Sequence, residues 1–201
     1  VVNLGRITRV LGQIGRSTST VSPLSLVADI DVEARSGRLY AGGSKVDLAE
    51  LLSGFPVGGI RLLSANGDFR FWTEWKDARI SDTILKVDLA DTVLEAKSGI
   101  KTSEQVTVQP RTAFERLALG ARLRRNDDVW RLDVADATVT RQGVATAPAR
   151  FVVEHPVGDG AEFSLLANSL DLNALANVAM LADAAPDALR RWLYLGNPRG
   201  M

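Results

Sequence analysis

One histidine, His155, stands in the 201-residue chain, between Glu154 and Pro156. A lone imidazole cannot build a multi-histidine metal centre, and no G-x-S-x-G or H-E-x-x-H run supplies a nucleophile or second ligand. His155 therefore reads as an exposed strand-end residue ahead of a turn. Cysteine is absent, which removes thiolate nucleophiles, zinc–thiolate sites and disulfides together. Asp29 with Asp31, or Asp127 with Asp128, could be drawn as acid/base couples. The first pair shares a polar strand face with Glu33, so a solvated outer face is the favoured reading. A glycosidase would further need one carboxyl held in a cleft with a raised pKa. Gly42-Gly43 and Gly58-Gly59 lack both the G-x-G-x-x-G spacing and the following helix that phosphate cradling requires, and read as turn or bulge glycines. Trp72, Trp75, Trp130 and Trp192 could stack on sugars, but at these spacings they line an apolar interior or its rim. No catalytic residue, metal ligand or cofactor site emerges, and the chain reads as a non-enzyme.

The balance of charge narrows the partners. Lys+Arg and Asp+Glu number 24 each, so the formal net charge is zero. Nucleic acid loses its usual long-range attraction without a basic surplus, and no basic run exceeds Arg124-Arg125 or Arg190-Arg191. The 46% apolar fraction allows a sizeable core or an apolar lining. No stretch approaches the roughly eighteen uninterrupted apolar residues of a membrane-spanning helix. The start, Val1-Val2-Asn3-Leu4, has neither an initiator Met nor a signal sequence. The expectation is a segment of a longer chain, with any anchor or export signal outside it.

Alternation is the dominant pattern. Leu24, Leu26, Ala28, Ile30, Val32 and Ala34 are apolar, and only Val27 breaks the polar set between them. That predicts a strand over 24–34 with one apolar and one acidic face. The pattern returns over 63–75 (Leu63, Phe69, Phe71, Trp75), 117–123 (Leu117, Leu119, Leu123), 147–153 (Phe151, Val153) and 161–167 (Phe163, Leu165). Weaker strands are predicted at 38–46, 78–88, 91–97, 101–109 and 129–140, with turns at Ser36-Gly37, Asn126-Asp127-Asp128 and Gly158-Asp159-Gly160. About ten strands joined by short connections favour an antiparallel meander over βαβ units. Two places depart from strand rhythm. Asp47 to Gly54 carries an N-cap and a C-terminal stop. From Asp171 a helical spacing sets in through Leu172, Leu175 and Val178, and a second helix starts at Pro186, carries Leu189, Trp192 and Leu193 on one face and ends near Gly196. Val46-Asp47-Leu48 echoes Leu170-Asp171-Leu172, and Asp88-Leu89-Ala90-Asp91 echoes Asp133-Val134-Ala135-Asp136. These echoes suggest a repeated several-strand unit with boundaries near 47–58 and 171–200.

The run from Phe114-Glu115-Arg116-Leu117 through Val129-Trp130-Arg131-Leu132 and Leu170-Asp171-Leu172 to Leu189-Arg190-Arg191-Trp192-Leu193, closing on Asn197-Pro198-Arg199-Gly200, resembles the large AsmA-like proteins of Gram-negative bacteria. The likeness points to the YhdP branch, relatives of TamB, and covers roughly residues 60–201, including Gly67-Asp68-Phe69-Arg70-Phe71-Trp72. It implies a bridge-like lipid transfer protein in the periplasm, anchored in the inner membrane by a segment outside this chain. It further implies that the rest of the same chain continues the sheet, and that phospholipid acyl chains travel along it toward the outer membrane. The resemblance carries no catalytic residue.

The fold expected is therefore mainly β: residues 1–201 as one continuous segment of a long, twisted, mostly antiparallel sheet, curled into an apolar groove, with short helices near 47–54 and 171–195. Leu24, Leu26, Ile30, Val32, Leu63, Phe69, Phe71, Trp75, Leu119, Leu123, Phe151, Val153, Phe163 and Leu165 are expected to face lipid. Leu189, Trp192 and Leu193 are expected at the groove edge, with Arg190 and Arg191 facing water or lipid phosphate. Periodicity alone favours a different arrangement, the dry core of a β-sandwich serving as a scaffolding or binding module, because open apolar patches above a few hundred Å² are uncommon. The resemblance reverses that preference. An outer-membrane barrel shares the alternation, but the helices and the charged faces speak against it.

Overall fold

The computed structural model describes residues 2–4, 7–14, 24–56, 58–102, 106–157, 162, 164–169, 171–183 and 185–196. Strands come in the order β1 (Val2–Leu4), β2 (Ile7–Ile14), β3 (Leu24–Asp31), β4 (Ser36–Asp47), then helix α1 (Leu48–Leu51). They continue with β5 (Ile60–Lys76), β6 (Arg79–Ala96), β7 (Ile100–Lys101), β8 (Thr107–Val108), β9 (Arg111–Arg125), β10 (Val129–Arg141), β11 (Val144–Ala145), β12 (Ala149–Pro156) and β13 (Ser164–Ala167). Helices α2 (Leu172–Ala179) and α3 (Asp187–Gly196) follow.

All but β7 and β8 belong to one eleven-stranded sheet, in which β1-β2-β3-β4-β5-β6-β9-β10-β12-β13 lie side by side and β11 pairs only with β10. Every pairing is antiparallel. The strands at the two ends of this order do not pair with each other, so the sheet is an open meander, mainly β and groove-like, and not a barrel. Among the described residues no second large sheet packs against it, which removes the closed sandwich.

Local chemistry explains the turns. Lys76 faces Arg79 and Arg141 faces Val144, and both two-residue loops (Asp77-Ala78, Gln142-Gly143) have positive φ throughout. Mirror-image turns of this kind match the twist of the strands they join. The expected strand over 24–34 stops earlier, at Asp31, because the Asp31 carboxylate accepts the Ala34 N–H at 2.9 Å and closes a turn over 32–35. Ser36-Gly37, expected to turn, open β4 instead. The segments expected at 78–88 and 91–97 are one strand, β6, that continues through a kink at Asp91. The 101–109 candidate is the small β7–β8 hairpin beside the main sheet. Gly158-Asp159-Gly160, Phe163 and Asn197 to Gly200 lie outside the described residues.

Bulges recur in alternate strands. Lys45 in β4, Asp91 in β6 and Asp136 in β10 all have left-handed backbone, with φ of 53°, 49° and 53°. At each the ladder slips by one residue: between Gly43 and Val46, between the partners of Ser64 and Asn66, and between Val134 and Ala137. An extra residue bends and twists a strand locally, and here it does so roughly every 45 residues.

Two hydrophobic clusters lie at one end of the sheet. Val46, Leu48, Ala65, Phe69 and Leu89 form the first, beneath α1. Asp47 caps α1 by accepting the Glu50 N–H at 2.9 Å. Ala96, Ile100, Met180 and Leu181 form the second, with Leu193 and Tyr194 of α3 packed on it. Asp171 caps α2 in the same manner, through the Asn173 and Ala174 N–H groups. The V/L-D-L echo is thus a shared aspartate cap, but only at Asp47 does a strand run straight into the helix; β13 ends at Ala167, four residues before the Asp171 cap.

Candidate functional site

Register builds the site. Residues paired across antiparallel strands point to the same face, and so do residues two apart along a strand. Leu26 pairs with Ala41, Ala41 with Phe71, Phe71 with Leu85, Leu85 with Ala121, Ala121 with Val134, Val134 with Phe151 and Phe151 with Ala167. This is one row of purely apolar side chains across eight strands. Two residues along each strand runs a parallel row: Ala28, Leu39, Thr73, Thr83, Leu123, Leu132, Val153 and Leu165. Its two hydroxyls satisfy one another, Thr73 Oγ1 to Thr83 Oγ1 at 2.9 Å, so the row stays chemically quiet. Flanking rows carry Ile30, Gly37, Trp75 and Ile80 on one side and Gly43, Phe69, Val87 and Leu119 on the other. Gly37 is what makes room for Trp75: a Cβ there would come within 2.4 Å of the indole ring. Most of these side chains are half-buried rather than sealed, Leu26, Ile30, Leu39, Phe71, Leu85, Leu123, Leu132 and Val153 among them.

The opposite face is charged. Asp29, Arg38, Glu74, Asp82, Arg124, Arg131, Glu154 and Ser164 follow one another across the same eight strands. Ion pairs tie them and their neighbours together: Arg38 to Asp29 at 3.3 Å, Arg122 to Asp82 at 2.6 Å, Arg124 to Asp133 at 2.7 Å and Arg131 to Glu154 at 2.7 Å. Arg116 grips Asp88 with two nitrogens, at 2.7 and 2.6 Å. That hydrogen bond and charge hold the Asp88 carboxyl below its ordinary pKa, and Arg131, with help from Arg124, does the same to Asp133. Tyr40 and Trp72 pack on this face, with ring centroids 5.1 Å apart.

Eleven of the residues expected to face lipid lie on the apolar face: Leu24, Leu26, Ile30, Phe69, Phe71, Trp75, Leu119, Leu123, Phe151, Val153 and Leu165. Phe69 is partly withdrawn, since it belongs to the cluster under α1. Two depart. Val32 sits in the turn after β3, 72% exposed. Leu63 falls between two register slips in β5 and is 43% exposed, while its neighbour Leu62, paired with Leu94, packs on the first cluster. The row members Leu39, Ala41, Leu85, Ala121, Leu132 and Val134 are not among the residues expected to face lipid. The alternation of Leu85, Val87 and Leu89 against Lys86 and Asp88 carries the signal, but Ile84 blurs it.

The C-terminal helix is rotated from its expected orientation. Arg190, expected in water, is 3% exposed; it donates to the backbone oxygens of Met180 at 3.1 Å and Ser98 at 2.7 Å, and pairs with Asp187 at 3.4 Å. Leu193 packs on the second cluster, but Trp192 is 60% exposed and Leu189 is also exposed. A guanidinium with two carbonyl acceptors within reach outcompetes an indole for the interior, because the helix end and the loop before β7 need those carbonyls satisfied. His155 also differs from expectation: it is half-buried and stacked on Trp130, with ring centroids 5.7 Å apart. Among the described residues no group of three or more acidic or histidine side chains is placed to hold a metal ion.

No curated protein and no solved structure matches the chain. A family model described as YhdP protein matches residues 2–201. An open sheet, apolar along one face and charged along the other, is the architecture that this match attaches to a lineage: the chain belongs to the YhdP family of AsmA-like proteins, a family with a role in lipid transport.

Proposed function

We propose that this chain is a non-catalytic segment of a periplasm-spanning lipid transfer protein, along whose apolar face phospholipid tails pass toward the outer membrane. The observation that carries the reading is the unbroken apolar row from Leu26 to Ala167, mostly half-buried and, among the described residues, not covered by a second large sheet. Taking an acyl chain out of water is worth about 0.8 kcal/mol per methylene, on the order of 10 kcal/mol per tail. A continuous apolar surface removes most of that barrier, and the absence of sharply directional contacts keeps the lipid from being trapped. The ion pairs on the other face keep that side in water. On this reading the rest of the same chain extends the lane, and the inner membrane is reached through an anchor outside this segment.

Site-specific photocrosslinking tests it. A benzophenone side chain at Ala121 or Phe151 in the protein in cells should yield adducts with phospholipid, and the same probe at Arg122 or Val152 should not. Equal labelling of both faces, or none at either, would sink lipid conduction along this face.

A further inference from the structure

A cavity of about 850 Å³ lies where β9 runs on beyond β10, with residues of β5, β6 and β9 on one side and Asn173 and Asn177 of α2 on the other. β9 pairs with β10 only as far as Arg116, opposite Thr140, and continues to Arg111 along β6. Arg141, the last residue of β10, lays its guanidinium over the Phe114 ring, 4.5 Å from the centroid, and a terminal nitrogen donates to Thr112 Oγ1. Among the described residues, Arg131 and Arg141 are half-buried and Arg190 is buried, while the other arginines are exposed. Arg131 and Arg190 each pair with a carboxylate, and Arg141 pairs with none. Its Nε is closed off from water with no acceptor, and so is Thr92 Oγ1, across the ladder from Phe114. Both residues line this cavity.

A buried guanidinium nitrogen without an acceptor is costly, and burial lowers the pKa of Arg141 against the opposing charge of Asp171. A tetrahedral anion would relieve both, because a guanidinium fork fits phosphate oxygens. Yet Asp91 and Glu115 line the same cavity and would repel a bare anion. A group carrying phosphate and amine together uses the cation and the carboxylates at once. Asp91 and Glu115 lie two residues beyond Leu89 and Leu117, a cross-strand pair beside the apolar rows, so the cavity lies at the foot of the lane.

We propose that this cavity holds the head group of an amine-bearing phospholipid of the phosphoethanolamine class, with phosphate on Arg141, Thr112 and Thr92 and the ammonium at Asp91 and Glu115. The proposal rests on the reading that the apolar face carries lipid.

The test uses the full-length protein in mild detergent, incubated with equal amounts of phosphatidylethanolamine, phosphatidylglycerol and diacylglycerol bearing the same tails; bound lipid is measured by mass spectrometry. Phosphatidylethanolamine should be retained over each competitor by roughly tenfold, the scale of a charge-assisted hydrogen bond. Arg141→Gln should erase the preference over diacylglycerol, and Arg141→Lys should keep most of it. Asp91→Asn with Glu115→Gln should erase the preference over phosphatidylglycerol, which carries the test if Arg141→Gln does not fold. Soluble glycerophosphoethanolamine should compete, and inorganic phosphate at the same concentration should not. Equal retention of the three lipids, ratios unchanged by Arg141→Gln, or competition by inorganic phosphate alone would each overturn the head-group site. Total lipid reports the lane and the ratio reports the cavity, so recovery of no lipid would overturn the lipid reading and this proposal with it.

Discussion

Asp91 and Asp136 end the two D-x-A-D segments in the same left-handed backbone, φ 49° on β6 and φ 53° on β10, and each is the extra residue of a bulge. Aspartate tolerates this conformation better than most residues, whereas a β-branched side chain collides with its own carbonyl. Asp136→Val should therefore destabilise the protein by about 1–2 kcal/mol. Lys45, at the equivalent bulge of β4, should respond in the opposite direction to glycine: Lys45→Gly should be neutral or stabilising by up to about 1 kcal/mol. Urea denaturation midpoints at constant slope check both, and a neutral Asp136→Val would show that the bulge relaxes.

The middle of the apolar row offers a test of conduction separate from stability. Leu85→Asp places a carboxylate between Phe71 and Ala121, where a passing tail would have to desolvate it. Lipid transfer between vesicles by the full-length protein should fall by roughly tenfold or more. Because Leu85 is only half-buried, melting should change little. Lys86→Glu, on the charged face, should leave transfer unaltered. Equal effects of the two would mean that net charge, not the face, governs transfer.

Arg190 and Trp192 should separate cleanly by denaturation. Removing the Arg190 guanidinium takes the donor from a buried hydrogen bond to the Met180 carbonyl and from a part-buried one to the Ser98 carbonyl, so Arg190→Ala should cost about 2–4 kcal/mol. Trp192→Ala should cost less than about 1 kcal/mol, since most of its ring is in water. A reversed order would mean that α3 is rotated from the orientation described.

Acid should reach this sheet late. Asp88 and Asp133 have pKa values lowered by Arg116 and by Arg131 with Arg124, so each binds its proton less readily folded than unfolded. Their contribution is fully present above the ordinary aspartate pKa of about 3.9 and is lost as pH falls through the lower folded values. Melting temperature should accordingly hold through mild acid and drop below about pH 4. Asp88→Asn with Asp133→Asn should flatten that drop, because no proton is then taken up at those sites. An unchanged acid limb in the double variant would assign it to other carboxylates.

What the sequence determined by itself was the type and polarity of the elements. Alternation depends only on the two-residue period of a strand, so Leu26, Phe71, Leu123, Phe151 and Val153 could be placed on one apolar face before any pairing was known. Asp47 announced a capped helix for an equally local reason, a short carboxylate reaching the next turn's N–H groups, and Asp171 proves to cap α2 in the same way. Tertiary structure decided what depends on partners distant in sequence. Bulges shift a register only relative to a neighbouring strand, which is why Leu63 fell off the face and Leu62 moved to the core. The Asp31 turn removed Val32 in the same way, by a hydrogen bond that alternation does not encode. Helical spacing grouped Leu189, Trp192 and Leu193, but the carbonyls of Met180 and Ser98 turned Arg190 inward instead. Whether the apolar face would be sealed or open was likewise beyond periodicity, because a sandwich core and a groove wall have the same alternation. It was decided by the strands pairing side by side in one large sheet, with no second large sheet among the described residues to cover the face.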